Sequence, residues 1–335
     1  MRIDNPKITA VIITDDNVNV VNAIDSVYNS CSEIILVNTV KTDKVKELIR
    51  NYTKVRYFYF KWCDDFSKAR NFGIKKAKGD WILTIDSDEE LKTPIKFIDD
   101  RFIAYQTIQS SKGLSGKDNL PTARLFKNQG IYYRNKIHET IDHAITPENS
   151  CNSDIIIEHS GYEVTPEDMK KKFDRNHKIL LNDKKNVIYN YHMGNHYADK
   201  KDFDTALKYY SKAMKDRLND SHFAIIQNNI HTCYLLIGNT PLRTLLKILK
   251  QSLVFEPFQM YARANIVEHL LSVINDDTKE MFVQEIKSEL GKVERIWENK
   301  LSNLLYNELN VDEEYINKKY EELQKWDNTI KRIAI

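Results

Sequence analysis

The sequence predicts an α/β domain built on a doubly wound, mixed sheet, followed by an all-α helical-repeat domain. Three observations carry this expectation. Over the first 90 residues, short β-branched apolar runs alternate with amphipathic stretches, the signature of βαβ units around a parallel sheet. Residues 100–160 break into short strand-like pieces that would add antiparallel strands at one sheet edge. From Pro166 onward the pattern is almost entirely helical, so the expected division is residues 1–165 and 166–335.

In chain order, Ile8–Thr14 (ITAVIIT) reads as a strand buried on both faces. Asn17–Ser30 places Val20, Val21, Ile24, Val27 and Tyr28 at helical spacing. Glu33–Thr39 and Val55–Phe60 read as strands, with a helix over Lys41–Asn51 between them. Phe66–Lys76 predicts a third helix that stops near Gly79, and Asp80–Asp86 (DWILTID) a further buried strand. Arg101–Thr122 is polar and carries Gly and Ser, so a mobile loop is expected there. Short strands are expected at Thr122–Phe126, Ile131–Arg134, Glu139–Ile141 and Ile155–His159.

The C-terminal half carries a 34-residue helical-repeat pattern. With Gly194 as its glycine, Tyr197, Ala206, Tyr210 and Ala213 fall at offsets of 3, 12, 16 and 19. A weaker second unit runs from about Ile230 to Pro257. Beyond residue 285, Ile286, Leu290, Val293, Ile296, Trp297, Leu301, Leu304 and Leu305 form an apolar stripe, expected to act as a cap or as a homodimer contact.

Composition excludes several classes. The chain has 50 basic and 48 acidic residues, a net charge of +2, and hence no strong field to recruit nucleic acid or an anionic membrane. The four cysteines have no metal-type spacing and are expected as reduced thiols. The start reads as a strand and not as a signal peptide, and no run approaches the roughly 18 apolar residues of a membrane span. A cytoplasmic protein is expected.

The chemistry concentrates in Trp81–Leu91 (WILTIDSDEEL). In open α/β sheets, ligands bind beyond the carboxyl ends of the strands, where Asp86, Ser87, Asp88, Glu89 and Glu90 fall. Clustered carboxylates repel one another unless a cation neutralises them. Residues i and i+2 of a strand point to one side, so Asp86 and Asp88 are expected to share a site. Hard oxygen ligands suit Mg²⁺ or Mn²⁺, with phosphate oxygens completing the sphere. The plainer alternative is an acidic helix N-terminus at Glu89 and Glu90.

Trp62–Gly73 (WCDDFSKARNFG) followed by GDWILTIDSDE resembles the inverting family-2 glycosyltransferases of GT-A fold, in which a D-F-x-x-A-R-N-x-G helix precedes a G-D-W-I-L-x-x-D-x-D-E strand. Arg124–Phe126 with Ile137–Thr140 (IHET), and Glu158–Tyr162 (EHSGY), resemble that family's R-L-F … H-E and H-x-G-Y segments. The resemblance covers roughly residues 7–180 and implies roles. Asp88 would bind the metal bridging the donor's diphosphate, with His159 as a further ligand. Asp86 would hold the ribose or assist the metal, and Asp65 and Arg70 would contact base and phosphates. Thr14 and Ser87 complete the expected nucleotide-sugar contacts. Arg70 alternatively is a surface helix charge, and Asn71 a structural residue. Glu139 is the expected general base, with His138 second. Asn38 stands where the family has an acid, so it is expected to meet a uracil edge, and Asp15 or Asp16 would compensate.

The tail resembles tetratricopeptide helices and the subset of the family that glycosylates peptides on cysteine or serine in bacteriocin biosynthesis. The expected function is therefore metal-dependent, inverting transfer of a hexose from a UDP-type donor to a Cys or Ser/Thr side chain of a peptide. The alternatives are a cell-surface saccharide or lipid-linked acceptor, and a non-catalytic scaffold with a degenerate transferase domain.

Overall fold

The computed structural model describes residues 2–113, 116–146, 148–159, 166–299 and 311–327. The chain folds as two compact units, Met1–Asp183 and Lys184–Ile335. The division falls later than the expected 165/166, because the first helix of the helical half belongs to the sheet unit.

The first unit runs β1 (Arg2–Asp4), β2 (Ile8–Thr14), α1 (Val20–Tyr28), β3 (Glu33–Asn38), α2 (Lys44–Leu48), β4 (Val55–Tyr59), α3 (Phe66–Ile74) and β5 (Trp81–Asp86). It continues with β6 (Glu89–Leu91), β7 (Phe97–Asp99), β8 (Ala104–Gly113), β9 (Gly116–Lys127), β10 (Ser150–His159) and α4 (Pro166–Leu181). The main sheet has the order β4-β3-β2-β5-β9-β8-β10-β6. Strands β4, β3, β2 and β5 are mutually parallel, β9 runs antiparallel to β5 and β8, and β10 lies parallel to β8 and antiparallel to β6. Alternation along β2 shows the double winding. Ile8, Ala10 and Ile12 pack with Val20, Ile24 and Val27 of α1, whereas Val11 and Ile13 pack with Ala69 and Ile74 of α3. Helix α3 lies so close to the sheet that a Cβ on Gly73 would stand 2.5 Å from Val11 Cγ1.

The sheet is curled, and connectivity demands it. β5 and β6 stand four positions apart in the order, about 19 Å in a flat sheet at about 4.8 Å per strand. Only Ser87 and Asp88 join them, and three residue steps span at most about 11 Å. The β10–β6 edge therefore bends back towards the carboxyl end of β5.

Two expectations and one alternative are corrected. Arg101–Thr122, expected as a mobile loop, is mostly the β8–β9 hairpin, an interior part of the sheet; residues 114–115 lie outside the described set. Its polar residues concealed the strand period, since Thr107 and Ser110 are buried. Ile131–Arg134 and Glu139–Ile141 are not strands; a single antiparallel bridge, Arg134 to Thr140, closes a tight loop between them. Glu89 and Glu90 open strand β6 and not a helix.

The second unit is helical: α5 (Tyr189–Asp199), α6 (Phe203–Ala213), α7 (Asp220–Ile237), α8 (Leu242–Phe255), α9 (Met260–Val273), α10 (Lys279–Glu298) and, after residues outside the described set, α11 (Glu313–Gln324). Each helix packs mainly on its chain neighbours, the behaviour of a solenoid. The repeat residues do the expected packing. Ala206, Tyr210 and Ala213 are buried, and a Cβ on Gly194 would stand 2.4 Å from the Tyr210 ring. Ile286, Leu290, Val293 and Ile296 are covered by α9 and by Val311, Ile316, Tyr320 and Leu323. The stripe is thus a cap contact within the chain, and its first half is not available to a dimer; Leu301, Leu304 and Leu305 lie outside the described residues. Among the described residues no helix is long and apolar enough to cross a membrane.

Candidate active site

The carboxyl end of β5 meets α3 and the loop 131–142 in a cluster of buried charges. Arg70, on the sheet-facing side of α3, is only 4% exposed. Its Nη2 donates to Asp86 Oδ1 at 2.6 Å and its Nε to Glu139 Oε1 at 2.6 Å. Arg124, from β9, donates through Nη2 to Glu89 Oε1 at 3.1 Å and to Asp86 Oδ2 at 3.4 Å. Glu89, 2% exposed, also accepts the Asp86 backbone N–H at 2.8 Å and the Gln109 amide at 2.5 Å. Five charged side chains thus link α3, β5, β6, β9 and the 131–142 loop. Arg70 Nη1 and Arg124 Nε are buried and have no hydrogen-bond partner among the described residues.

Electrostatics follow from this geometry. Burial opposes ionisation of Asp86, but Arg70 and Arg124 outweigh it and hold its carboxyl well below the usual carboxylate range. Burial pushes the Glu89 carboxyl up, against the pull of Arg124. Burial also opposes the charge on Arg70, yet Asp86 and Glu139 raise its pKa well above the ordinary value. A cavity of about 420 Å³ opens beside the cluster, lined among others by Arg70, Asp86, Gln109, Arg124, His138 and Glu139. His138 sits there at φ +51°, in the left-handed region that non-glycine residues seldom adopt. Its desolvating surroundings push its pKa below the ordinary value.

The expected site residues divide into three groups. Arg70, Asp86, His138 and Glu139 line one cavity, and Arg70 is not a surface charge. Asp88 and His159 form a second pair. His159 Nδ1 lies 3.1 Å from the Asp88 backbone oxygen and Nε2 3.7 Å from Asp88 Oδ2. Ser87 lies in the turn between the two groups. Asp86 and Asp88 do not share a strand face, because β5 ends at Asp86 and the turn breaks the alternation. The third group is committed to the scaffold. Asp65 caps α3, accepting the Lys68 N–H at 2.9 Å and the Ser67 hydroxyl at 2.8 Å. Thr14 is buried and accepts the Asn17 N–H at 3.2 Å.

The expectation that Asn38 meets a base is revised. Its side chain is fully buried and saturated: Nδ2 donates to Asp16 Oδ1 and Tyr57 OH, and Oδ1 accepts the Val40 N–H. Asn38 therefore positions Asp16, which adopts φ +72°. Burial raises the Asp16 pKa, but hydrogen bonds from Thr42, the Val45 N–H and Asn38, with the charge of Lys44, together bring it below the ordinary value. Asn71 is structural: its amide both donates to the Tyr133 carbonyl and accepts the Tyr133 N–H.

Sequence reasoning missed Glu89, Gln109, Arg124 and Tyr133 as members of the site. Tyr133 hydrogen-bonds Thr84 at 2.6 Å, and the Arg70 guanidinium lies 5.5 Å from the centroid of its ring. Arg124 was within reach, since it opens the R-L-F segment. Gln109 lay in the stretch read as a loop.

Asp88 and His159 fit a divalent cation of the Mn²⁺ type by donor chemistry: one carboxylate and one imidazole, adjacent, beyond a strand end. Among the described residues no cluster of three His, Cys, Asp or Glu side chains forms, so further ligands would come from a bound diphosphate or water.

A mixed, curled sheet with an acidic turn beyond its central parallel strand is a GT-A-like architecture. Residues 11–143 match the family model described as Glycosyl transferase family 2. The SPbeta prophage-derived glycosyltransferase SunS of Bacillus subtilis (strain 168) is 26% identical over 190 residues, 52% of this chain and 44% of SunS. The match thus spans about half the length of that relative. A TPR repeat-containing protein of Synechococcus elongatus is 27% identical over 142 residues, 40% of this chain and 35% of its own. Among solved structures, the mannosyltransferase PcManGT from Pyrobaculum calidifontis in complex with GDP-Man and Mn²⁺ aligns with a TM-score of 0.40 and 13% identity, over 75% of this chain and 81% of that one.

Proposed function

We propose that the chain transfers a hexose, with inversion, from a UDP-type nucleotide sugar to a Cys or Ser/Thr side chain of a peptide. The observation that carries this reading is the buried Arg70–Asp86–Arg124–Glu89 constellation at the carboxyl end of β5, within the segment that matches the family-2 model. Its two arginines retain donors with no acceptor among the described residues, as a site for an oxygen-rich ligand requires. The peptide acceptor rests on the likeness of the repeat helices to the bacteriocin-biosynthesis subset and on the match to SunS.

In this reading Asp86, fixed by two guanidinium groups, accepts from donor hydroxyls, while Arg70 Nη1 and Arg124 Nε donate to donor oxygens. Glu139 keeps one oxygen on Arg70 and takes the acceptor's proton on the other; His138, which lines the same cavity, is the second candidate for that proton. A thiol acceptor needs less of a base, since thiolate is accessible near neutral pH. Asp88 and His159 would hold Mn²⁺ or Mg²⁺, which supplies charge neutralisation for the departing diphosphate.

The test is nucleoside-diphosphate release from a panel of nucleotide sugars, with Mn²⁺ or with chelator, for wild type and Asp88→Ala. Release that needs metal and falls on the order of 100-fold in the variant supports the reading. No release from any donor, with no thermal stabilisation by any nucleotide, overturns it in favour of the scaffold alternative. Mass analysis of candidate peptides against saccharide acceptors separates the two acceptor classes.

A further inference from the structure

Helix α4 lies beyond the segment that matches the family model, yet it is tied to the site at several points. Lys178 Nζ pairs with Asp64 Oδ2 at 2.9 Å, just before α3. Lys136, in the loop that carries His138 and Glu139, donates through Nζ to the Asn182 carbonyl at 2.9 Å and through its N–H to Asp183 Oδ2 at 3.0 Å. The Lys136 carbonyl in turn accepts the Phe66 N–H at 2.8 Å.

One turn before Lys178, on the same face of α4, Arg175 reaches over the start of α3. Its guanidinium lies 5.1 Å from the centroid of the Phe66 ring. Its Nε and Nη2 both donate to Asn176 Oδ1, at 3.2 and 3.0 Å, and among the described residues it makes no ion pair. The carboxylate whose charge reaches it is Asp15, which directly follows β2. Burial lowers the pKa of Arg175, with Asp15 opposing only in part. A half-buried cation that lacks a bonded anion, at the carboxyl ends of the parallel strands, is suited to an anionic ligand that arrives there. Its planar fork matches phosphate oxygens.

We propose that Arg175 is a donor-binding residue whose guanidinium contacts the diphosphate of the nucleotide sugar, so that α4 forms one wall of the donor site. This deepens the proposed function and rests on it. The experiment uses the full chain with Mn²⁺ and compares UDP and GDP with uridine and guanosine by calorimetry, for wild type, Arg175→Ala, Arg175→Lys and Lys178→Ala, with circular dichroism to confirm folding. Wild type should bind one diphosphate more tightly than its nucleoside. Arg175→Ala should lose about tenfold or more for the diphosphate with little change for the nucleoside, Arg175→Lys should be intermediate, and Lys178→Ala should keep the wild-type preference. Unchanged diphosphate affinity in Arg175→Ala, or equal losses for diphosphate and nucleoside, overturns the inference while leaving the transferase reading intact. A wild type that binds none of the four overturns the donor reading and the inference with it.

Discussion

Arg70 joins two carboxylates that its own helix does not carry, Asp86 on β5 and Glu139 on the loop, and it does so through two different nitrogens. A lysine at this position offers one point charge in place of a fork. Arg70→Lys should therefore fold but cannot hold both acids in register; turnover is expected to fall on the order of 100-fold, measured as nucleoside-diphosphate release. Arg70→Ala takes the guanidinium from Glu139 and leaves Asp86 with Arg124 alone, and should cost about 3–5 kcal/mol in denaturant unfolding. Asp86 adds a pH signature. Its folded pKa is depressed, so the stability it contributes is present above the unfolded value of about 3.9 and is lost as pH falls below it. The acid-side fall in melting temperature should be shallower in Asp86→Asn than in wild type. At this scale much of the candidate site was legible, because Arg70, Asp86 and Glu139 sit in short motifs and line one cavity. Asp65 and Asn38 were not, since an Asp or Asn in a strand–helix connection serves equally as a cap, a bracket or a ligand contact, and only the hydrogen-bond partners decide.

Helix α3 carries Arg70 to the sheet only because Gly73 lets it approach. Gly73→Ala would press a methyl into Val11 and Val37, and it should destabilise by about 1–3 kcal/mol in urea unfolding and lower turnover by displacing Arg70. Gly194 plays the same part in the repeat helices against Tyr210. The parallel strands and their helices were readable because strands buried on both faces are uninterrupted apolar runs. The β8–β9 hairpin was not, because an interior strand bearing Thr107, Gln109 and Ser110 loses the alternation that marks a half-exposed strand. The placement of α4 was equally hidden: its helical pattern is plain, but its allegiance to the sheet unit depends on Lys178, Lys136 and Asp183, which look like surface charges.

At the scale of the whole chain, the two units should respond differently to acid. In the helical unit, His231 is fully buried, with Nε2 2.8 Å from His269 Nε2, and burial lowers its pKa to about 4. The unfolded chain takes up a proton near pH 6.5 that the folded unit refuses, so stability is full above about 6.5 and falls as pH drops towards 4. Thermal unfolding between about pH 7 and pH 4.5 should show a decline that is shallower in His231→Gln. The sheet unit carries a different consequence of its curl. An edge strand as short as β6 ordinarily frays and exchanges its amide hydrogens quickly. Here the two-residue link ties β6 to the central strand, Glu89 is fastened to the Asp86 backbone and to Arg124, and Ser26 of α1 accepts the Leu91 N–H. Deuterium uptake in Glu89–Leu91 should therefore be as slow as in the buried strand β5, and the sheet should open as one piece.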